Sequence, residues 1–216
     1  MHRSVMFAML LFALASNVVA AADVSASEQV LRDFGEDGYK IWASTEGQLT
    51  GDDIPDFAAV LERGSPDGNR REILAVYAGT ANGFELISNS GQYCSARNWY
   101  NLDASGGSLF VEAVTSISTS ITSNRLQFRY DDAAKDFRII GEEYASESDE
   151  IDDTFRGSVN HLTGEATFSR VNAAGRKEVA RRFELPATLL SGFDCTSWEY
   201  GRGQHVYIDT DLSVVE

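Results

Sequence analysis

The stretch REILAVYAGTANGFELI, residues 71–87, joins two runs of strand-forming residues through an Asn-Gly turn. Residues 71–77 are rich in Ile, Leu, Val and Tyr, whose side chains pack well on a pleated surface. Asn82-Gly83 supplies the positive backbone angles of a tight hairpin, and Phe84, Leu86 and Ile87 begin the return. The pattern predicts an antiparallel hairpin, and the same grammar continues on both sides of it. Residues 39–43 and 57–63 read as strands upstream, the second closed by the loop signal Gly64-Ser65-Pro66-Asp67-Gly68-Asn69. Downstream, residues 108–118, 125–130, 137–141, 154–162, 165–171 and 176–185 alternate with turns such as Thr163-Gly164. About ten short strands at such spacing predict a mostly β domain of antiparallel hairpins or a meander. One short N-terminal helix is expected over residues 25–35, where Val30, Leu31 and Phe34 share a face and Gly35 suits the stop.

A second segment echoes the first. Tyr77 precedes Phe84 by the same interval as Tyr130 precedes Phe137, and each Phe is followed by Ile87 or Ile140 at the same offset. The echo suggests either a repeated hairpin or two hairpins that look alike by chance.

The first residues read as an export signal. His2 and Arg3 precede the apolar run VMFAMLLFALA, residues 5–15, and small residues follow at Ala20-Ala21-Ala22. The run is too short to span a bilayer. The expected organisation is therefore a signal peptide over residues 1–22 and a single β-rich domain over 23–216, without membrane insertion after cleavage. The expected location is periplasmic or secreted. In an oxidising compartment the two cysteines, Cys94 and Cys195, read as one disulfide. It would close a loop of about 100 residues, for which chain entropy gives on the order of 4–5 kcal/mol. The chain carries 18 basic and 33 acidic side chains, a formal charge of −15, and loses only Arg3 from its charged residues with the leader. Such a charge repels phosphate backbones, so nucleic acid is not an expected partner, whereas a basic protein is.

The stretch GQLTGDDIPDFAAVLE, residues 47–62, looks like a metal loop with ligands missing. Gly47, Leu49, Gly51, Asp52 and Asp56, with Pro55 and the apolar run after it, resemble the aspartate-rich loop of the FG-GAP (VCBS-like) repeat family. Residues 79–84, GTANGF, are similar to that family's glycine-rich turn ending in Phe. Converging carboxylates bind a hard cation in such loops. Here the ligand positions would be Gln48, Thr50, Asp52 and Asp56, of which only two are charged, and Asp53 stands where the turn glycine belongs. The resemblance therefore implies weak calcium binding, in the millimolar range, or none. The competing reading is that Asp52 and Thr50 fix a turn through local hydrogen bonds. Residues 137–141, FRIIG, and 160–164, NHLTG, also resemble segments of exported bacterial proteins that carry such a loop, a likeness that implies no activity.

The sequence lacks the G-x-S-x-G, H-E-x-x-H and P-loop patterns. His161 and His205 read as structural, His161 at a strand end in an exposed or hydrogen-bonding role. The acidic run ESDEIDD, residues 147–153, reads as a solvated loop, and Asp149, Glu150, Asp152 and Asp153 are candidate contacts for a basic partner. Tyr93, Trp99, Tyr100, Trp198 and Tyr200 flank the cysteines, either as core rings or as a binding surface, with Trp99 and Trp198 the binding candidates. The expected function is a non-catalytic exported protein-interaction module, inhibitor- or immunity-like toward a basic envelope protein. An ion- or carbohydrate-binding structural module is the alternative, and a hydrolase with scattered carboxylates comes third. No cofactor is expected beyond weak calcium.

Overall fold

The computed structural model describes residues 24–64, 70–93, 99–148 and 153–194, together with 207–208 and 214–215. Helix α1 (Ala26–Phe34) opens with a reciprocal cap. The Ser25 hydroxyl accepts the Glu28 N–H at 3.3 Å, and the Glu28 carboxylate accepts the Ser25 N–H at 3.0 Å. That hydrogen bonding, with the cation of Arg32 nearby, holds the Glu28 carboxyl below its ordinary range.

Two antiparallel meanders follow. The small sheet consists of β1 (Lys40–Gly47), β2 (Asp56–Gly64), β3 (Arg70–Thr80) and β4 (Gly83–Asn89), in chain order. The large sheet contains β5 (Trp99–Ser105), β6 (Ser108–Ile117), β7 (Ser120–Asp131), β8 (Asp136–Ser148), β9 (Asp153–Asn160), β10 (Glu165–Asn172) and β11 (Gly175–Arg182), also in chain order. Residues Tyr207–Ile208 pair with Val214–Val215 as a separate short ribbon. The mostly β architecture with a short N-terminal helix is the one the sequence predicts.

The layers are helix, small sheet, large sheet. Strand pleating sends alternate residues to opposite faces, and β2 and β3 are buried on both. Phe57, Ala59, Leu61, Ile73, Ala75 and Tyr77 pack under the helix with Ala26 and Val30. Ala58, Val60, Leu74 and Val76 face the large sheet and meet Leu109, Val111, Leu126, Phe128, Phe137 and Ile139. Each buried Val, Leu, Ile or Phe among them contributes about 1.5–3 kcal/mol relative to exposure. The edges β1 and β5 run so close that a side chain on Gly47 would stand 2.7 Å from the Ala104 Cβ. A smaller satellite core, Ala166 and Phe168 with Phe155, Val159, Val179 and Phe183, lies on the same inner face farther along the large sheet.

After β11 the chain returns across the large sheet. Phe183 donates to the Gly164 carbonyl at 2.8 Å, and Ile139 donates to the Thr188 carbonyl at 3.0 Å. Leu189 bridges Arg138, a 3-10 turn (Leu190–Gly192) follows, and Leu190 and Phe193 are buried between the sheets. This returning strap fills the place beside the start of β8 that β9, paired only from Gly141 onward, leaves open.

Three expectations change. Residues 99–105 form a strand, β5, that the sequence reading leaves out. Strand β8 runs on to Ser148 and β9 starts at Asp153, so both ends of the acidic run lie in strands, and residues 149–152 lie outside the described residues. The two echoing hairpins also differ in register. Tyr130 sits directly opposite Phe137, whereas Tyr77 sits opposite Leu86 and Phe84 opposite Gly79. Tyr77 faces the helix and Phe137 the inter-sheet core, so the two segments are not equivalent copies.

Candidate functional site

The aspartate-rich loop is organised around Asp56. This first residue of β2 is fully buried. Its carboxylate accepts the backbone N–H of Leu49 at 2.6 Å, of Thr50 at 2.8 Å and of Gly79 at 3.1 Å, and the Thr50 hydroxyl at 3.1 Å. One carboxylate thus fastens the incoming loop to the β3–β4 hairpin. Gly79 is required there, since a Cβ would stand 2.1 Å from the Pro55 carbonyl oxygen. Leu49 plugs the inter-sheet core beneath the loop. Asp52 accepts the Ile54 N–H at 3.0 Å, closing a local turn at the surface. Of the four residues the metal reading brings together, Thr50 and Asp56 bond to each other. Asp52 turns its carboxylate to Ile54, and no hydrogen bond of the Gln48 side chain joins them. Among the described residues no cluster of three or more His, Cys, Asp or Glu side chains is placed to hold a metal ion.

Asp136 does the same work at the start of β8. It is buried and accepts the Phe137 N–H at 2.6 Å, the Ser191 N–H at 3.2 Å and the Ser191 hydroxyl at 2.5 Å, tying the strap to the sheet. In both places an Asp-Phe pair opens a strand, the Asp gathering a crossing segment and the Phe entering a core. The sequence reading missed this device, although the repeated dipeptide was its signal.

The partner candidates are dispersed. Asp149, Glu150, Asp152, Trp198, His205 and both Cys94 and Cys195 lie outside the described residues. Asp153 is taken up by Arg170, whose guanidinium donates twice to it at 2.6 and 2.8 Å. That pairing holds the Asp153 carboxyl below the usual carboxylate range. The aromatic group divides. Tyr93 and Tyr100 are buried, edge to face at 5.9 Å, with the Tyr100 hydroxyl donating to the buried Glu72. Trp99 is 42 % exposed on the opposite face of β5. The His161 ring is buried, its side chain only 4 % exposed. Its Nε2 lies 3.5 Å from Glu142, which also accepts the Asn124 amide at 2.9 Å. The exposed reading of this histidine is therefore corrected: the turn after β9 bends back, His161 N–H to Ile140 carbonyl at 3.0 Å, and carries the ring inward.

A concave feature lies on the outer face of the large sheet, the face turned away from the small sheet. Cross-strand registers set Glu112, Arg125, Glu143, Ser158 and Thr167 in one row, and Trp99, Ser123, Arg156, Ser169 and Glu178 in the next. Around them the twisted sheet forms an open trough of about 420 Å³ spanning β6 to β11. Its arginines are matched to acids: Arg125 to Glu143 at 3.4 Å, Arg156 to Glu147 at 2.7 Å and Arg176 to Glu178 at 2.8 Å. Arg125 also stacks over the Phe110 ring at 4.2 Å. Exposed Ile121 and Val171 share this face. Sequence reasoning missed the trough. The two-residue alternation of Arg, Ser, Thr and Glu along residues 156–158, 167–169 and 176–178 would have revealed it.

No known family matches the chain, and comparisons with curated proteins and with solved structures likewise find no match.

Proposed function

We propose that the chain is a non-catalytic, exported binding module that holds a protein partner on the outer face of its large sheet. The observation that carries this reading is the trough itself. It is shallow, open and drawn from six strands, a shape suited to another macromolecule's surface and not to enclosing a small ligand. Arginines and an exposed Trp on one face are the residue types enriched where binding energy concentrates. The rigid ladder beneath them preorganises the surface, which lowers the entropic cost of association. The chain's −15 charge supports electrostatic steering of a basic partner toward that face.

The test uses the chain without its leader, immobilised and exposed to a cell-envelope extract at low and high salt. A partner retained by the wild type should be lost on Arg156→Ala combined with Ile121→Ala, with an unchanged circular dichroism spectrum. Retention of the same partners by the double variant, or an association rate indifferent to salt, would overturn the reading.

A further inference from the structure

We propose that the outer edge of strand β11 is a docking site for an extended acidic peptide segment, which adds to the large sheet as an extra strand. Four strands bound the two meanders, and three are obstructed. Strands β1 and β5 lie against each other at Gly47 and Ala104. Strand β4 touches helix α1 and the 3-10 turn of the strap. Strand β11 has β10 on one side and, among the described residues, no strand on the other.

The edge keeps regular strand form. Its register with β10 is unbroken from Glu165–Arg182 to Asn172–Gly175, with no bulge and no proline. Charged side chains also blunt natural edges, and those of β11 turn away a strand of like charge while leaving the backbone groups able to pair with an acidic one. The two-residue turn Ala173-Ala174 makes Asn172–Gly175 the closing pair of the hairpin. Ladder alternation then directs the backbone groups of Lys177, Val179 and Arg181 toward β10. Those of Arg176, Glu178, Ala180 and Arg182 face the open side.

Charge selects the occupant. Strand β11 carries Arg176, Lys177, Arg181 and Arg182 against the single acid Glu178, within a chain of net charge −15. All of its residues except the half-buried Val179 are exposed. A second copy is a poor occupant: in the centred antiparallel register Arg176 would oppose Arg182, and Lys177 would oppose Arg181. Like charges directly opposite are destabilising. Alternating acids on an incoming strand share one face, and in the register that sets them on the face of Lys177, Val179 and Arg181 they would meet the two cations of that row. Main-chain bonds would supply affinity and the charges specificity, as in other strand-addition complexes.

The probe is a fluorescein-labelled peptide of alternating Glu and Val, about nine residues long by the usual strand length, titrated by anisotropy into the chain without its leader. Saturable binding is expected, weakened about tenfold by Ala180→Pro, which removes an outward N–H while leaving the β10 ladder bonded. Lys177→Glu with Arg181→Glu should weaken it further, whereas the outer-face variant Arg156→Ala/Ile121→Ala should bind as wild type. The amides of Glu178 and Ala180 should become protected from hydrogen exchange when peptide is added. Absence of binding, equal binding of a peptide with a central proline, or unchanged binding by Ala180→Pro would overturn the proposal. Concentration-dependent dimerisation abolished by Ala180→Pro would also overturn it, in favour of a second copy.

Discussion

Asp56 shows how one residue can be read two ways from sequence and one way from structure. A carboxylate in a metal loop keeps its oxygens for the cation. Here three backbone N–H groups and a hydroxyl occupy them. Replacing Asp56 by Ala would leave those buried donors unsatisfied, a penalty of about 1–3 kcal/mol for each group. Asp56→Ala should therefore lower stability by about 3 kcal/mol or more, while Asp52→Ala, at an exposed turn, should cost about 0.5–1 kcal/mol. Urea midpoints check both. Calcium at tens of micromolar should leave the wild-type midpoint unmoved, because a loop with two carboxylates binds at best in the millimolar range. A calcium-dependent rise abolished by Asp52→Ala would restore the metal reading. The residue types of this loop were legible in the sequence, and the partners of Asp56 were not. Gly79 lies 23 positions away, and only the pairing of β2 with β3 brings its N–H to the carboxylate.

At the level of elements, the strands with strong alternation were legible and the polar ones were not. Strand β3 announces itself through Ile73, Leu74, Val76 and Tyr77. Strand β5, WYNLDAS, mixes Asn, Asp and Ser with its apolar residues, and its inward row of Tyr100, Leu102 and Ala104 is plain only once β6 lies beside it. The end of β8 is hidden likewise, since its Glu and Ser residues acquire strand form from β7 and β9 on either side. The strap was invisible for another reason: its anchors, Leu190 and Phe193, pack against segments remote in the chain. Those anchors bear on the cysteines. Gly91 donates to the Phe193 carbonyl at 2.9 Å, and the Tyr93 and Phe193 rings lie 5.4 Å apart. The residues leading into Cys94 and Cys195 are thus neighbours, so under oxidising conditions the chain should contain a Cys94–Cys195 bridge. Intact-mass analysis after alkylation should find no free thiol. Reduction should lower stability by about 2–5 kcal/mol.

The whole molecule concentrates buried phenols where the layers meet. Burial pushes the Tyr93 hydroxyl far above its ordinary value of 10.0, and the nearby Glu142 and Glu72 push it further. Burial, with Asp33 beside it, raises Tyr77 as well. A raised phenol favours the fold while it is neutral. That stabilisation is complete below the unfolded value of about 10 and is lost as pH rises beyond it, because only the unfolded chain ionises readily. The urea midpoint should hold steady near pH 8 and fall steeply above about pH 10. Tyr93→Phe with Tyr77→Phe should flatten the fall, and an equal fall in that double variant would assign it to other groups.

The uninterrupted chain order of both sheets has a consequence in time. Every strand pairs with the strand made just before or after it, so hairpins can close one by one as the chain emerges, at little cost in loop entropy. Other steps join distant parts of the chain, among them the seating of the small sheet on the large one and the arrival of Leu190 and Phe193 between them. Truncating Phe193 to Ala should accordingly hasten unfolding far more than it slows folding, the kinetic signature of a latch that closes last.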